Sequence, residues 1–204
     1  HLLGRPRAGR LELRVDEGPW EPIALYREAP ELVVVRRHLD GDAHRVRLRH
    51  AGGVPRVLGL VVERRAGVVY DVLGINGHRA SAILSWDPAL LRAQLEHRAP
   101  DLVVLSYGGN EALDRNLALA TYETQTDAAI ATIRRLAPGA SCLLVGPLAT
   151  FPEHAARMSA VTSIQRGLAA RHGCAFWDSA QTSGGPGTLA RWARVPGMVG
   201  RDHL

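Results

Sequence analysis

The sequence predicts an α/β fold: a mainly parallel sheet between helices, with a small antiparallel β-rich unit before it. Three observations carry this. From about residue 67 onward, apolar runs alternate with helix-like stretches, the pattern of βαβ crossovers. Before that point, short β-like runs are separated by clusters of Gly, Pro and Asp. The chain has 204 residues, 46% of them hydrophobic and 22% charged, which suits one ordinary domain plus a small addition and supplies a sizeable core. The expected division is residues 1–66 for the β-rich segment and 67–204 for the α/β domain.

The elements follow in order. In the first segment, Leu11–Val15, Glu31–Arg37, His44–His50 and Val57–Glu63 read as strands. The stretches "DEGPWEP", "LDGDA" and "HAGGVP" between them read as turns. "GVVYDVLG", Gly67–Gly74, is an apolar run ending in glycine and reads as the first strand of the α/β part. "DPALLRAQLEHRAP" reads as a helix with Asp87 as N-cap and Pro88 at its first position. "DLVVLSY" reads as a buried strand, "TYETQTDAAIATIRRLAP" as an amphipathic helix stopped by Pro138, and "SCLLVGP" as a further strand. "EHAARMSAVTSIQRGLAARHG" reads as a long helix with Gly173 past its end, and "CAFWD" as the last strand. In such sheets ligands sit at the carboxyl ends of the strands.

Composition narrows the partners. Net charge is +5, and all 25 basic residues are arginine. They are scattered (Arg5, Arg7, Arg10, Arg14, Arg36, Arg37, Arg64, Arg65, Arg134, Arg135), and aromatics make up only 5%. That argues for a solvated surface over a nucleic-acid patch, where Lys and Arg cluster with aromatics. No stretch approaches the roughly 18 apolar residues of a membrane span, and no signal-like n-region and h-region opens the chain at His1. Cys142 and Cys174 form no CxxC and have no metal-ligand spacing. Each stands at the start of an expected strand, so buried free thiols are the favoured reading, with a disulfide between neighbouring strands as the alternative.

Three segments at the sheet rim can carry chemistry. "LGINGHRAS", Leu73–Ser81, has glycines at 74 and 77 that allow a sharp turn with exposed N–H groups. "YGGNEA" places Asn110, a side-chain amide donor, and Glu111 directly after a strand. "GRDHL" ends the chain with Asp202 beside His203. Each alone has an ordinary explanation: a turn, a helix cap, a surface pair.

In this order they resemble the SGNH (GDSL-type) esterase family, which implies a flavodoxin-like three-layer α/β/α fold with the β-rich segment as an insertion. The family's four blocks are a Gly-Asp-Ser nucleophile turn, a glycine after the second strand, a Gly-x-Asn-Asp/Glu turn after the third, and a C-terminal Asp-x-x-His. "GINGHRAS" looks like the second block, "GGNE" the third and "RDHL" the beginning of the last, over about Val68 to Leu204. The resemblance implies an oxyanion hole made by the Gly77 N–H and the Asn110 amide, with the nucleophile's own N–H as third donor. Preorganised donors of this kind are worth about 3 kcal/mol each. It assigns the acid of a Ser-His-Asp triad to Asp202 and implies no metal or organic cofactor. Glu111 is read as structural, its charge favouring the following helix N-terminus.

The sequence departs from the family at two blocks. It contains no Gly-Asp-Ser turn, which the family places upstream of the second block. The family spacing puts the base just after Leu204, so His203 would serve only through a rearranged loop. The expectation is therefore a piece of a catalytic domain, lacking a central strand, inactive and poorly folding alone. Ser81, Ser85 and Ser106 read as cap or core residues, and Cys174 has no cation beside it to make it a nucleophile.

The β-rich segment is similar in placement to a carbohydrate-binding-module-like β-sandwich insertion of SGNH enzymes that act on O-acetylated cell-wall or matrix polysaccharide. Trp20, Tyr26 and Trp86 are candidate sugar-stacking residues, against core packing for Trp20 and Trp86. The expected function is serine esterase action on acetyl esters of carbohydrate, with a periplasmic or secreted location following from that substrate class. An O-acyltransferase would use the same residues. A non-catalytic carbohydrate-binding or scaffold protein would keep the hole without the nucleophile. A nucleotide-binding domain is disfavoured, because "GINGHRAS" lacks the third glycine of GxGxxG and the acid that follows it. No feature sets an oligomeric state.

Overall fold

The computed structural model describes residues 1–41, 43–148, 152–185 and 187–198. The chain divides into two compact units: His1–Val72 with Asp87–Gln94, and Leu73–Trp86 with Leu95–Leu204.

The first unit holds two three-stranded antiparallel sheets. Strands β1 (Leu2–Gly4), β2 (Arg10–Val15), β3 (Glu21–Ala24), β4 (Glu31–Val33), β5 (Val46–His50) and β6 (Arg56–Val57) pair in the orders β4-β1-β6 and β3-β2-β5. The period-2 pattern of "RLELRV" fixes the second sheet. Leu11 and Leu13 point inward and are buried, while Glu12 and Arg14 point outward opposite Arg49 and Arg47. A one-residue slip would expose both leucines, so the register is firmly specified. Leu2, Ala8, Leu11, Leu13, Ile23 and Leu25 form the core, with Val33 and Val35 packed on it.

The glycines of "HAGGVP" are more than turn residues. A Cβ on Gly53 would lie 2.4 Å from the Gly9 Cα, and one on Gly9 would lie 2.0 Å from the Gly52 carbonyl oxygen. Two backbone segments cross there with no room for a side chain.

Two expected strands are absent. Val57–Glu63 contributes only Val57 to β6, and Gly67–Gly74 forms no strand. Their apolar side chains face solvent: Val62 is 86% exposed, Val68 99% and Tyr70 82%. The physical reason is pairing. A strand holds only when its N–H and C=O groups meet a neighbouring edge, and no described strand pairs with this stretch.

The second unit carries the parallel sheet. Strands β7 (Leu102–Ser106), β8 (Ser141–Val145) and β9 (Ala175–Trp177) lie in the order β7-β8-β9, with Leu102 opposite Ser141 and Leu143 opposite Ala175. The described helices of the chain are α1 (Pro88–Arg98), whose residues up to Gln94 belong to the first unit, then α2 (Gly109–Leu113), α3 (Leu119–Leu136), α4 (Ala155–Arg171), α5 (Ser179–Thr182) and α6 (Thr188–Trp192), with a 3-10 turn over Ala80–Ser85 and another over Pro152–His154. The start of α1 is as expected, since the Asp87 carboxylate accepts from the N–H groups of Ala89 and Leu90, both at 2.9 Å. Helix α3 buries Tyr122, Thr126, Ala129, Ile130, Ile133 and Leu136, the i, i+3, i+4 stripe of an amphipathic helix. Tyr122 also joins Ala112, Met158 and Val161 in the core.

β7 corrects the expectation of a fully buried strand. Leu102 is 51% exposed and Val104 42%, because β7 pairs only with β8 among the described strands.

The cysteines are also corrected: Cys142 and Cys174 form a disulfide. Cys142 is the second residue of β8, and Cys174 immediately precedes β9. Because these strands are parallel neighbours, their first turns bring the two thiols together, with Cα atoms 4.7 Å apart. The strand order that makes this possible is not written in the spacing of 32 residues.

Candidate active site

The chain leaves β7 at Ser106 and turns sharply into the short helix α2. Gly108 makes that turn with φ of +108°, a left-handed conformation that favours glycine. It also sits against α4. A Cβ here would lie 2.8 Å from Gln165 Nε2 and 3.0 Å from Val161 Cγ1. Gln165 is buried and donates to the Tyr107 carbonyl at 2.8 Å, holding the entry to the turn. Arg157, also on α4, holds its exit by donating to the carbonyl oxygens of Glu111 and Leu117.

The second rim segment reaches the same place. Ile75, Asn76, Gly77 and His78 form a turn closed by the His78 N–H donating to the Ile75 carbonyl at 3.0 Å. Gly77, third in the turn, has φ of +79°, the geometry that a type II turn requires of its third residue. A Cβ on Gly77 would meet nothing within 4 Å, so backbone conformation rather than space selects glycine here. The Gly77 N–H donates to no described residue.

Three contacts tie the two segments together. Asn110 Nδ2 donates to the His78 carbonyl at 2.9 Å. The Arg79 guanidinium pairs with the Asp114 carboxylate at 2.8 Å. The Glu111 carboxylate, buried at 2% exposure, accepts from the Ala80 N–H at 2.9 Å through Oε1 and from the Gly108 N–H at 3.0 Å through Oε2. The second of these is the reciprocal half of a capping box. The first reaches 31 residues back along the chain.

Electrostatics follow the geometry. The Asn116 backbone N–H and then Arg79 hold the Asp114 carboxyl below its usual range. Burial, and then the Glu111 charge, push the phenols of Tyr107 and Tyr122 above their usual range. Among the described residues no group of three or more His, Cys, Asp or Glu is arranged to hold a metal ion. No described helix is long and apolar enough to cross a membrane.

Of the sequence-predicted site residues, Gly77 and Asn110 lie on segments brought into contact. Asp202 and His203 lie outside the described residues. Ser81 is inside the 3-10 turn, Ser85 donates to the Ala82 carbonyl at its end, and Ser106 ends β7. Trp20 is half-buried, with the Arg49 guanidinium 4.1 Å from its ring centre and that of Arg14 at 5.9 Å. Tyr26 is 64% exposed and Trp86 half-buried. Sequence reasoning missed Arg79, Asp114, Arg157 and Gln165. Their partners are distant in sequence, and no local pattern marks them.

The parallel sheet thus presents a Gly-Gly-Asn-Glu turn at the end of β7, tied to a second glycine turn. The chain belongs to the GDSL-like lipase/acylhydrolase family, whose model matches residues 40–197. Among solved structures it is similar to a peptidoglycan O-acetylesterase, with 23% identity, a TM-score of 0.61, and coverage of 94% of this chain and 54% of that one. The chain thus spans about half the length of that esterase. A family two carbohydrate esterase from Cellvibrio japonicus matches at 13% identity and a TM-score of 0.39, covering 86% of this chain and 76% of that one. Phospholipase A1 from Streptomyces albidoflavus NA297 matches at 19% identity and a TM-score of 0.37, with 52% and 59% covered. No curated protein sequence matches the chain.

Proposed function

We propose that this chain carries the oxyanion hole of a serine esterase that cleaves acetyl esters on carbohydrate or cell-wall polysaccharide. In that reaction a serine hydroxyl attacks the ester carbonyl and gives its proton to a histidine, which Asp202 orients and stabilises when charged. The carbonyl oxygen becomes an oxyanion held by the Gly77 N–H and the Asn110 amide. The histidine then protonates the departing sugar oxygen. Water repeats the sequence on the acyl-enzyme and releases acetate. Neither a metal nor an organic cofactor takes part in this scheme.

One observation carries the reading: Asn110 Nδ2 rests 2.9 Å from the carbonyl of His78, the residue next to Gly77. A primary amide has two N–H donors. One anchors Asn110 to the glycine turn, which leaves the other for an incoming oxyanion. Membership of an acylhydrolase family supports the reaction class, and the likeness to a peptidoglycan O-acetylesterase supports the choice of substrate. The Cys142–Cys174 disulfide supports a periplasmic or secreted location, since such bonds persist in oxidising compartments.

The test is Asn110→Ala in the protein expressed from its whole gene, with p-nitrophenyl acetate as substrate. Loss of one oxyanion donor lowers turnover about 100-fold. Unchanged turnover removes Asn110 from the mechanism.

A further inference from the structure

Glu111 is a buried carboxylate with no described cation against its oxygens. Burying a charge is costly unless hydrogen bonds compensate it. Here the compensation comes from two backbone N–H groups on different segments: Ala80, three residues after Gly77, and Gly108, two residues before Asn110. Cap stabilisation of α2 requires only the Gly108 bond. The bond to Ala80 does something else, because it fixes the start of the 3-10 turn, and with it the glycine turn, against the Gly-Gly-Asn segment.

We propose that Glu111 is a positioning residue of the esterase site, a carboxylate clamp that sets the Gly77 N–H and the Asn110 amide at one common spacing. The proposal rests on the oxyanion-hole reading above and deepens it. Both carboxylate oxygens are acceptors, so both tethers form at once. A glutamine has one acceptor oxygen and one donor NH2, so one backbone N–H would face another donor and that tether would open. Glu111 touches no reacting atom, and it acts only through the placement of the two donors. A misplacement of about 1 Å is enough to cost about 100-fold in rate.

The experiment compares Glu111→Gln, Asn110→Ala and the double variant, in the protein expressed from its whole gene and with p-nitrophenyl acetate. Glu111→Gln is expected to lower kcat about 10- to 100-fold while KM stays within about threefold, because the loss falls on the transition state. The double variant should lose clearly less than the product of the two single losses, since the part of the Glu111 effect that runs through Asn110 is already gone. Wild-type kcat in Glu111→Gln, or losses that simply multiply in the double variant, overturns the proposal while leaving the oxyanion hole intact. Wild-type turnover in Asn110→Ala overturns both.

If Glu111→Gln does not fold, Ala80→Pro opens the same tether from the other side. Proline is tolerated at the first position of a helical turn, and Arg79 before it has φ of −106° and ψ of 163°, the extended geometry that precedes proline. Folded Ala80→Pro with a comparable kcat loss supports the clamp, and folded Ala80→Pro with wild-type kcat rejects it.

Discussion

Gly108 meets two demands at once, a left-handed backbone and a helix packed where a side chain would stand. Gly108→Ala should destabilise the fold by about 1–3 kcal/mol, the usual cost of a strained backbone position, as read by denaturant unfolding. Unchanged stability would show that α4 can move aside. Asp16, itself left-handed at φ of 51°, accepts from the Arg45 N–H and pairs with His44 Nδ1 at 2.8 Å. The hydrogen bond to Asp16 raises the His44 pKa, and the Arg45 N–H, then His44, lower that of Asp16. The His44 contribution is therefore complete below about pH 6.5 and fades as pH rises through its folded value. The Asp16 contribution is present above about pH 4 and is lost as pH falls through its folded value. NMR titration should place the His44 pKa above the ordinary histidine value and lower it in Asp16→Asn. No difference between the two proteins would remove the pair.

The elements show what local sequence can encode. Asp87-Pro88, the α3 stripe and Gly173 past α4 were legible, because caps, periodicity and stop signals are local chemistry. "GGNE" was legible as a rigid turn, but the reach of Glu111 to Ala80 was not, since no spacing rule links residues 31 apart. β3 was hidden because "WEPIA" sits inside a run of turn residues. Gly67–Gly74 erred the other way. Its composition suits a strand, yet composition supplies no partner edge. The disulfide pins the entries of β8 and β9. Replacing both Cys142 and Cys174 by alanine, which opens the loop the disulfide closes across a sequence separation of 32, should lower stability by about 3 kcal/mol. A change under about 1 kcal/mol would show that the strand pairing holds this corner without it.

Across the whole chain, the stretch from Leu58 to Ile75 exposes Leu60, Val62, Val68, Tyr70, Val72, Leu73 and Ile75. Exposed apolar runs of this length drive association. The 204-residue chain prepared alone should bind a hydrophobic dye and self-associate, as sizing at rising concentration would reveal. A monomer with a sharp cooperative thermal transition would contradict that. The proposed catalytic role rests on two loops of one unit aiming two donors at one oxygen. The most direct test is a crystal structure of the protein expressed from its whole gene after reaction with a phosphonate ester, which leaves a tetrahedral adduct on the nucleophile. A phosphonyl oxygen is expected about 2.7–3.1 Å from both the Gly77 nitrogen and Asn110 Nδ2. An adduct whose oxygen meets neither donor would contradict it.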